Sequence, residues 1–138
     1  MSPSSKIVET TFRVRYAETD QMGIVHHASY VVWLEEGRSN WMRAHGSSYA
    51  QFEQEGLVLA VTELNVRYQR AARYDQAVTV RCWVEQVRSR QLQFSYEIVD
   101  SNSGDIFVTA STKHVCLDRQ GQVTNIPQKW QNFLKQEL

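Results

Sequence analysis

Asp20, His26 and His27 lie within eight residues of one another and have side chains that are suited to chemistry. A carboxylate can act as a general base or a nucleophile, and an imidazole can transfer protons near neutral pH. Gly23, between them, is typical of a bend with backbone angles that other residues avoid. The alternative for Asp20 is a structural role, in which its carboxylate caps the first turn of a helix or stabilises the turn before it. The residue pattern alone leaves both roles open.

The patterns on either side of these residues predict a strand that ends and a long helix that begins. Polarity alternates from Val8 to Tyr16, which indicates a half-buried strand. From about His27 to His45, apolar residues recur every three or four positions, as in a helix. Gly37 lies inside this helix at a cost of about 1 kcal/mol against alanine. We therefore expect the helix backbone to approach a sheet closely there, and Gly46 to end the helix.

The remaining sequence predicts a short helix, four strands and a C-terminal helix. The predicted ranges are a helix over 47–56, strands over 57–69, 76–87, 91–99 and 106–118, and a helix that opens at Pro127. One long helix with a mostly antiparallel sheet indicates an α+β domain, in which the helix covers the apolar face of the sheet. We expect residues 1–138 to form one domain and residues 1–6 to be a flexible arm.

The composition excludes several classes of function. Fifteen Lys and Arg residues balance fifteen Asp and Glu residues, so the chain lacks the basic field of a non-specific nucleic-acid binder. No stretch has the length of a membrane helix, and the N-terminus lacks the apolar core of a signal peptide. Cys82 and Cys116 fall in strand patterns and are expected to be buried free thiols of a cytoplasmic protein. No His and Cys spacing matches a zinc site, so no metal is expected.

The run from Arg15 to Tyr30, followed by Trp33, Glu36 and Arg38, resembles the hotdog-fold acyl-CoA thioesterases of the 4-hydroxybenzoyl-CoA thioesterase family. The shared signature is a strand-end tyrosine, Thr-Asp, two residues, Gly, two hydrophobic residues and then His or Tyr before a helix. The order of the remaining strands and helices also fits. The resemblance implies a hotdog fold, in which a sheet wraps around the central helix. It also implies a homo-oligomer, a dimer or a tetramer joined through sheet edges.

The resemblance also implies roles for three residues. Asp20 matches the catalytic carboxylate, either as general base towards water or as a nucleophile that forms a mixed anhydride. His27 falls at the helix start, where backbone amides would polarise the thioester carbonyl. Tyr16 matches a tyrosine of one branch and is a candidate hydrogen-bond partner that orients the site, with core packing as its alternative. His26 falls at a position that varies in the family and receives no role.

Coenzyme A carries phosphates, so basic side chains are expected around the mouth of the site. The family's contacts with coenzyme A commonly lie near one hairpin and the last strand, which points to Arg88, Ser89 and Arg90. Ordinary solvated turn charges are the alternative for each arginine. Further candidates are Arg67, Arg70 and Arg73. Coenzyme A is part of the substrate here, and no separate cofactor is expected.

Within the family, the sequence looks closest to the cyanobacterial branch that hydrolyses 1,4-dihydroxy-2-naphthoyl-CoA on the route to phylloquinone. Trp33, Trp41 and Tyr49 suit an aromatic acyl group, although core packing explains them equally well. The first alternative is a short-chain or general acyl-CoA thioesterase resembling those encoded with bacterial Tol-Pal genes. The second is a non-catalytic acyl-CoA-binding module. A hotdog dehydratase is disfavoured, because Glu35 and Glu36 lack the histidine context of those enzymes.

Overall fold

A five-stranded antiparallel sheet with one long helix against it forms the body of the protein in a computed structural model that describes residues 6–45 and 49–138. The strands are β1 (Val8–Arg13), β2 (Val58–Tyr68), β3 (Ala77–Val87), β4 (Gln91–Asp100) and β5 (Ile106–Leu117). The helices are α1 (His27–Ala44), α2 (Tyr49–Gln54) and α3 (Gln128–Lys135). Neighbouring strands pair antiparallel in the order β1-β3-β4-β5-β2. This is the predicted α+β hotdog arrangement.

The observed elements match the predicted ranges closely, with one exception at the first strand. β1 ends at Arg13, three residues before the predicted end, and Tyr16–Glu18 form a 3-10 turn instead. The Val14 N–H still donates to Gln76 O at 2.9 Å, in register with the β1–β3 pairing. The chain leaves the sheet after Val14, where the Glu18 N–H donates to Arg15 O and closes the 3-10 turn. Residues 1–5 of the predicted arm, the predicted helix stop at Gly46, and residues 47 and 48 lie outside the described residues.

Helix α1 packs closely against β3 because Gly37 has no side chain. A Cβ atom built at Gly37 would lie 2.6 Å from Val80 Cγ1, which is shorter than real contacts of this type. The close approach predicted from this glycine is therefore confirmed. The buried face of the helix consists of Tyr30, Trp33, Leu34, Gly37, Trp41 and Met42.

A chain of hydrogen bonds crosses the core from α1 to the edge of the sheet. Arg38 Nη1 donates to Tyr96 OH at 3.1 Å, and this hydroxyl lies 2.6 Å from Thr112 Oγ1. His114 Nε2 is 2.8 Å from the same Thr112 Oγ1, and its Nδ1 lies 3.4 Å from Leu59 O. The buried polar groups of β4 and β5 are thus hydrogen-bonded to one another, as burial of such groups requires.

Strand β2 is an edge strand, and α1 leaves the neighbouring part of the sheet face uncovered. Three of its side chains, Val61, Leu64 and Tyr68, are 42 to 51% exposed. We call these three residues the β2 strip. The N–H and C=O groups on its open side and its apolar side chains are typical of a surface that another chain covers.

Cys82 and Cys116 are buried and form no disulfide, as predicted. Among the helices described here, none is long and apolar enough to cross a lipid bilayer. The short helix α3 is amphipathic and buries Trp130 and Leu134.

Candidate active site

Residues 19–25 form a small hairpin that carries Asp20. Thr19 pairs with Val25, and the Gly23 N–H donates to Asp20 O at 3.0 Å. Gly23 has a φ of +77°, a left-handed conformation that glycine adopts without steric cost. The bend predicted from this glycine is therefore present.

The Asp20 carboxylate stabilises this turn. Its Oδ1 accepts the N–H of Met22 at 2.8 Å and, more weakly, that of Ile24 at 3.4 Å. Of the two structural alternatives for Asp20, the helix cap is therefore wrong and the turn is confirmed, because these contacts lie within its own hairpin. The side chain is exposed and forms no ion pair with a described residue. Its second oxygen accepts no hydrogen bond from those residues.

His26 caps helix α1, a role that the sequence pattern did not indicate. Its Nδ1 accepts the Ala28 N–H at 3.2 Å, and its backbone N–H donates to Glu18 O at 2.8 Å. The rings of His26 and His27 stack with their centroids 4.3 Å apart. Histidine is not among the preferred N-cap residues, so cap statistics could not identify it.

Helix α1 begins at His27, as predicted. The Tyr68 hydroxyl donates to His27 O at 3.0 Å and fixes the helix start against the end of β2. Since the Ala28 N–H is taken by His26, the N–H of His27 is the first-turn amide that donates to no acceptor among the described residues. The positive end of the helix dipole lies here, so this amide suits a developing negative charge.

A groove of about 350 Å³ opens beside this helix start. It is lined by Val25, His27, Tyr30, Tyr68, Gln69, Arg70 and Ala71. The rings of Tyr30 and Tyr68 meet edge to face, 5.5 Å between centroids, and give one wall an aromatic surface. Asp20 does not line the groove within one chain. It lies on the adjacent hairpin, two residues after Glu18, whose C=O accepts the His26 N–H next to the helix start.

The segment after β2 joins the groove to the Asp20 hairpin. The Tyr30 hydroxyl accepts the Ala72 N–H at 2.9 Å, and Ala72 O accepts the Val25 N–H at 2.9 Å. Burial raises the pKa of Tyr30, and this outweighs the Ala72 hydrogen bond, so the phenol stays neutral at ordinary pH. Tyr30 therefore links helix α1 and the groove to the Asp20 hairpin through the Ala72 hydrogen bonds.

Glu18 holds the segment before the Asp20 hairpin against α1, a role that the residue pattern does not indicate. Its Oε2 accepts from Trp33 Nε1 at 2.6 Å and from the Arg15 guanidinium at 2.8 Å, while its Oε1 accepts the Arg15 N–H at 2.7 Å. Burial alone would raise the pKa of Glu18. The hydrogen bonds from Trp33 and Arg15 and the Arg15 charge outweigh burial and lower this pKa. Only half of a capping box is present, since Glu18 accepts the Arg15 N–H but an arginine side chain cannot accept in return, so the usual Ser or Thr signature is missing from the sequence.

Tyr16 does not pack in the core, so that alternative is wrong. Its side chain is 77% exposed because the chain has left β1 and entered the 3-10 turn. Its ring meets that of Tyr74 edge to face at 5.6 Å. Its hydroxyl makes no hydrogen bond with a described residue, and Tyr16 does not line the groove within one chain.

The turn Arg88-Ser89-Arg90 lies at the opposite end of the sheet from His27 in the same chain. The helix start is level with Tyr68 and Val108, whereas Gln91 pairs with Val115 seven residues further along β5, about 23 Å away. Within one chain, therefore, the structure does not bring this turn to the groove.

The turn itself is partly engaged by the C-terminal segment. Arg90 Nε donates to Asn125 Oδ1 at 3.0 Å, and Ser89 O accepts the Ile126 N–H at 2.8 Å. Arg88 lines a smaller groove of about 150 Å³ together with Lys113. Of the other arginine candidates, Arg70 lines the groove at the helix start and pairs with Asp105 at 2.7 Å.

The tryptophans considered for an aromatic substrate are core residues. Trp33 and Trp41 are buried, so core packing is the correct alternative for both. The side chain of Tyr49 lies outside the described part of the structure. In the described ranges, no three His, Cys, Asp or Glu side chains cluster so that they could hold a metal ion.

Comparison with known proteins places this geometry in a family. The family model of the thioesterase-like superfamily matches residues 14–134. A Bacillus subtilis protein, provisionally named acyl-CoA thioesterase YneP, is 35% identical over 87% of this chain and 83% of its own length. The acyl-CoA thioester hydrolase YbgC of Escherichia coli is 31% identical over 77% of this chain and 78% of its own.

A solved structure gives the same fold. The crystal structure of a DHNA-CoA thioesterase from Staphylococcus aureus superposes with a TM-score of 0.85 at 31% identity, over 94% of this chain and 89% of that one. With the sheet, the long helix and the sequence match in agreement, this chain belongs to the thioesterase-like superfamily and is an enzyme of the thioester-hydrolase class.

Proposed function

We propose that this protein hydrolyses acyl-CoA thioesters, with Asp20 as the catalytic carboxylate. The observation that carries the proposal is the His27 N–H at the positive end of α1, which donates to no acceptor among the described residues. His27 lines the groove, and the exposed Asp20 carboxylate lies on the adjacent hairpin. An amide in this position stabilises negative charge on the thioester oxygen as the carbonyl is attacked. The names of the similar proteins in Bacillus subtilis and Escherichia coli support coenzyme A as the thiol.

Two chemical routes fit Asp20. As a general base, the carboxylate takes a proton from water, whose oxygen attacks the carbonyl carbon, and coenzyme A then leaves as its thiolate. As a nucleophile, the carboxylate itself attacks and expels the thiolate, and water then hydrolyses the mixed anhydride. Both routes use the oxygen of Asp20 that accepts no hydrogen bond from the described residues, and both place the developing oxyanion at the helix start.

The acyl group that we propose is aromatic, with 1,4-dihydroxy-2-naphthoyl-CoA as the first candidate and phylloquinone biosynthesis as the corresponding pathway. The groove is large enough for two fused rings, and the edge-to-face pair of Tyr30 and Tyr68 offers an aromatic wall. The likeness to the DHNA-CoA thioesterase from Staphylococcus aureus supports the same substrate. A general acyl-CoA thioesterase of the YbgC type is the second candidate, supported by comparable identity to that protein.

We further propose that the working form is a dimer joined by antiparallel pairing of two β2 edges. Such pairing covers the β2 strip and satisfies its free backbone groups. In this antiparallel pairing, the Val58 end of β2 in one copy lies beside the Tyr68 end of β2 in the other copy. The turn Arg88-Ser89-Arg90 of the second copy then comes level with the groove. In this arrangement its cations can meet the phosphates of coenzyme A.

Release of free coenzyme A from a panel of thioesters tests the proposed activity. The panel should include 1,4-dihydroxy-2-naphthoyl-CoA, benzoyl-CoA, and acetyl, hexanoyl and palmitoyl thioesters, with thiol detection over time. We expect the naphthoyl thioester to give the highest kcat/KM. The Asp20→Asn variant should lose at least about 100-fold in kcat, because an amide cannot act as base or nucleophile.

Asparagine can still accept the Met22 N–H, so the variant should keep the melting temperature of the natural protein. Full activity of Asp20→Asn would refute the catalytic assignment. Binding of acyl-CoA with no release of thiol from any thioester would identify a non-catalytic binding module instead. A clear preference for aliphatic thioesters would favour the YbgC-type alternative.

A further inference from the structure

Two charged side chains of α1, Glu35 and Arg38, find no opposite charge among the described residues. Arg38 is half-buried, yet its only described partner is the neutral Tyr96 hydroxyl. Glu35 is exposed and forms no ion pair or hydrogen bond with those residues. The two side chains do not pair with each other either, although residues three apart on a helix are neighbours. A guanidinium has five N–H donors, and a half-buried one with a single neutral acceptor is incompletely paired.

Both side chains lie on the flank of α1 that faces β2. On the opposite flank, Asn40 Nδ2 donates to Thr10 Oγ1 of β1 at 2.8 Å. Arg38 instead reaches across to Tyr96 on β4, away from β1. Helical spacing places Glu35 one turn before Arg38 and further round this flank, towards solvent. The contacts of Tyr68 with His27 O and with the Tyr30 ring show that the end of β2 lies against α1 at the helix start.

The hydrogen bonds fix how far along β2 these charges lie. Tyr68 OH contacts His27 O, which sets the helix start level with the end of β2. Arg38 contacts Tyr96 OH, this hydroxyl contacts Thr112, and Thr112 pairs with Leu64. Arg38 is thus level with Leu64, about 16 Å along α1 from His27, and α1 runs antiparallel to β2.

A two-fold axis that pairs two β2 edges must cross the middle of the paired segment. If all of Val58–Tyr68 pairs, the axis crosses at Glu63. If only the regular part after the irregularity at Val61 and Glu63 pairs, it crosses between Asn65 and Val66. Arg38 is level with Leu64, a strand rises about 3.3 Å per residue and a helix about 1.5 Å per residue. The two possible positions of the axis are therefore level with about residues 40 and 34 of α1. The axis is therefore level with Glu35 and Arg38.

We infer that Glu35 of one copy forms an ion pair with Arg38 of the second copy, and that this pair occurs twice about the two-fold axis. A two-fold axis that brings residue 35 against residue 38 necessarily brings residue 38 against residue 35. The pair supplies the acceptor that Arg38 lacks and prevents the two arginines from facing each other across the axis. Since Arg38 is held by Tyr96, the pair fixes the register of the two β2 edges. This inference rests on the dimer proposed above.

Two variants with opposite changes of charge test whether Glu35 and Arg38 of different copies are in contact. Homodimers of Glu35→Arg would place arginine against arginine, and homodimers of Arg38→Glu would place glutamate against glutamate. We expect each variant alone to dimerise at least about tenfold more weakly than the natural protein. Mixed in equal amounts, they should form a heterodimer about as stable as the natural dimer, because both pairs are then opposite in charge.

Sedimentation velocity, with one variant carrying a fluorescent label, measures the homodimers and the heterodimer separately. Glu36→Arg is the matched control, because Glu36 neighbours Glu35 but pairs with Arg43 of its own chain at 3.6 Å. Its mixture with Arg38→Glu should yield no preferred heterodimer. Melting temperatures establish that each variant is folded. If Arg38→Glu fails to fold, Glu35→Arg combined with Arg38→Gln should dimerise more tightly than Glu35→Arg alone.

A Glu35→Arg homodimer as tight as the natural dimer would overturn the inference, as would a mixture with no excess of heterodimer. A natural protein that stays monomeric at high concentration would overturn both the dimer and the pair. Thioester hydrolysis is measured separately on the natural protein. If that protein is inactive but the variants form weak homodimers and a stable heterodimer, only the proposed activity is refuted.

Discussion

At the scale of single residues, the sequence indicated Asp20 and His27 but missed Glu18 and His26. Asp20 and His27 stand out because they flank a glycine bend at the change from strand to helix periodicity. Glu18 and His26 act through contacts that the local pattern does not encode: an indole fifteen residues ahead and a helix amide accepted by an imidazole. Such contacts depend on how the hairpin folds back, and this is a tertiary property.

His114 gives the fold a specific pH dependence. Burial, and then the nearby Arg38 charge, lower the pKa of His114 from 6.5 to about 4. The folded protein therefore favours the neutral ring, while the unfolded chain takes up a proton below about pH 6.5. Stability contributed by His114 is complete above that pH and is lost as pH falls towards 4, with a slope of about 1.4 kcal/mol per pH unit.

We therefore expect the free energy of unfolding to fall between pH 6.5 and 5, and the fall to be smaller in His114→Gln. Urea unfolding of both proteins at several pH values measures the two slopes. The glutamine amide can still hydrogen-bond with Thr112, so the comparison concerns the slope and not the stability at pH 7. Equal slopes would show that His114 does not set this dependence.

At the scale of elements, hydrophobic periodicity predicted nearly every helix and strand to within two residues. It failed at Tyr16, whose apolar ring continues the β1 alternation although the chain has already left the sheet. Alternation indicates which residues would share a face of a strand. The end of the strand is set by the 3-10 turn, in which the Glu18 N–H donates to Arg15 O. The close helix–sheet approach at Gly37 was predictable because a glycine inside a helix needs a compensating reason.

Replacement of Gly37 by alanine tests that approach. Alanine favours a helix by about 1 kcal/mol, but its methyl group would lie 2.6 Å from Val80 Cγ1, and overpacking of this kind costs about 1–3 kcal/mol. We expect Gly37→Ala to lower the melting temperature in the natural background. In a Val80→Ala background, which removes the contacted methyl groups, the same change should be neutral or stabilising. A double-mutant cycle of unfolding free energies measures the difference, and additivity would contradict the steric explanation.

At the scale of the whole molecule, the position of the Arg88-Ser89-Arg90 turn relative to the groove was not predictable from the sequence. Both features follow from local patterns, but their separation follows from the strand order, which puts them at opposite ends of the sheet. The same strand order exposes β2 as an edge. A complete site for coenzyme A in our proposal therefore needs the second copy.

Charges placed on the β2 strip should separate the copies. We expect Val61→Lys combined with Leu64→Lys to shift the protein to a monomer in sedimentation velocity, because four lysines would then meet across the paired edges. The KM for acyl-CoA should rise with the loss of the second copy's arginines. Val123→Lys, at an exposed position away from the edge, serves as the control and should leave the oligomeric state unchanged. A double variant that remains a dimer would place the interface elsewhere.

The attachment of the Asp20 hairpin has a consequence for how this protein tolerates change in chain length. Gly23 O accepts the Tyr74 N–H at 3.3 Å, and Val25 N–H donates to Ala72 O, so the hairpin is held by the connection between β2 and β3. Insertion of a residue between Gln69 and Gln76 would shift the reactive carboxylate although Asp20 is some fifty positions away. The β4–β5 loop around Gly104, where an added Cβ meets open space, contacts the groove only through the exposed ion pair of Asp105 with Arg70 among the described contacts, so we expect it to tolerate changes in length better.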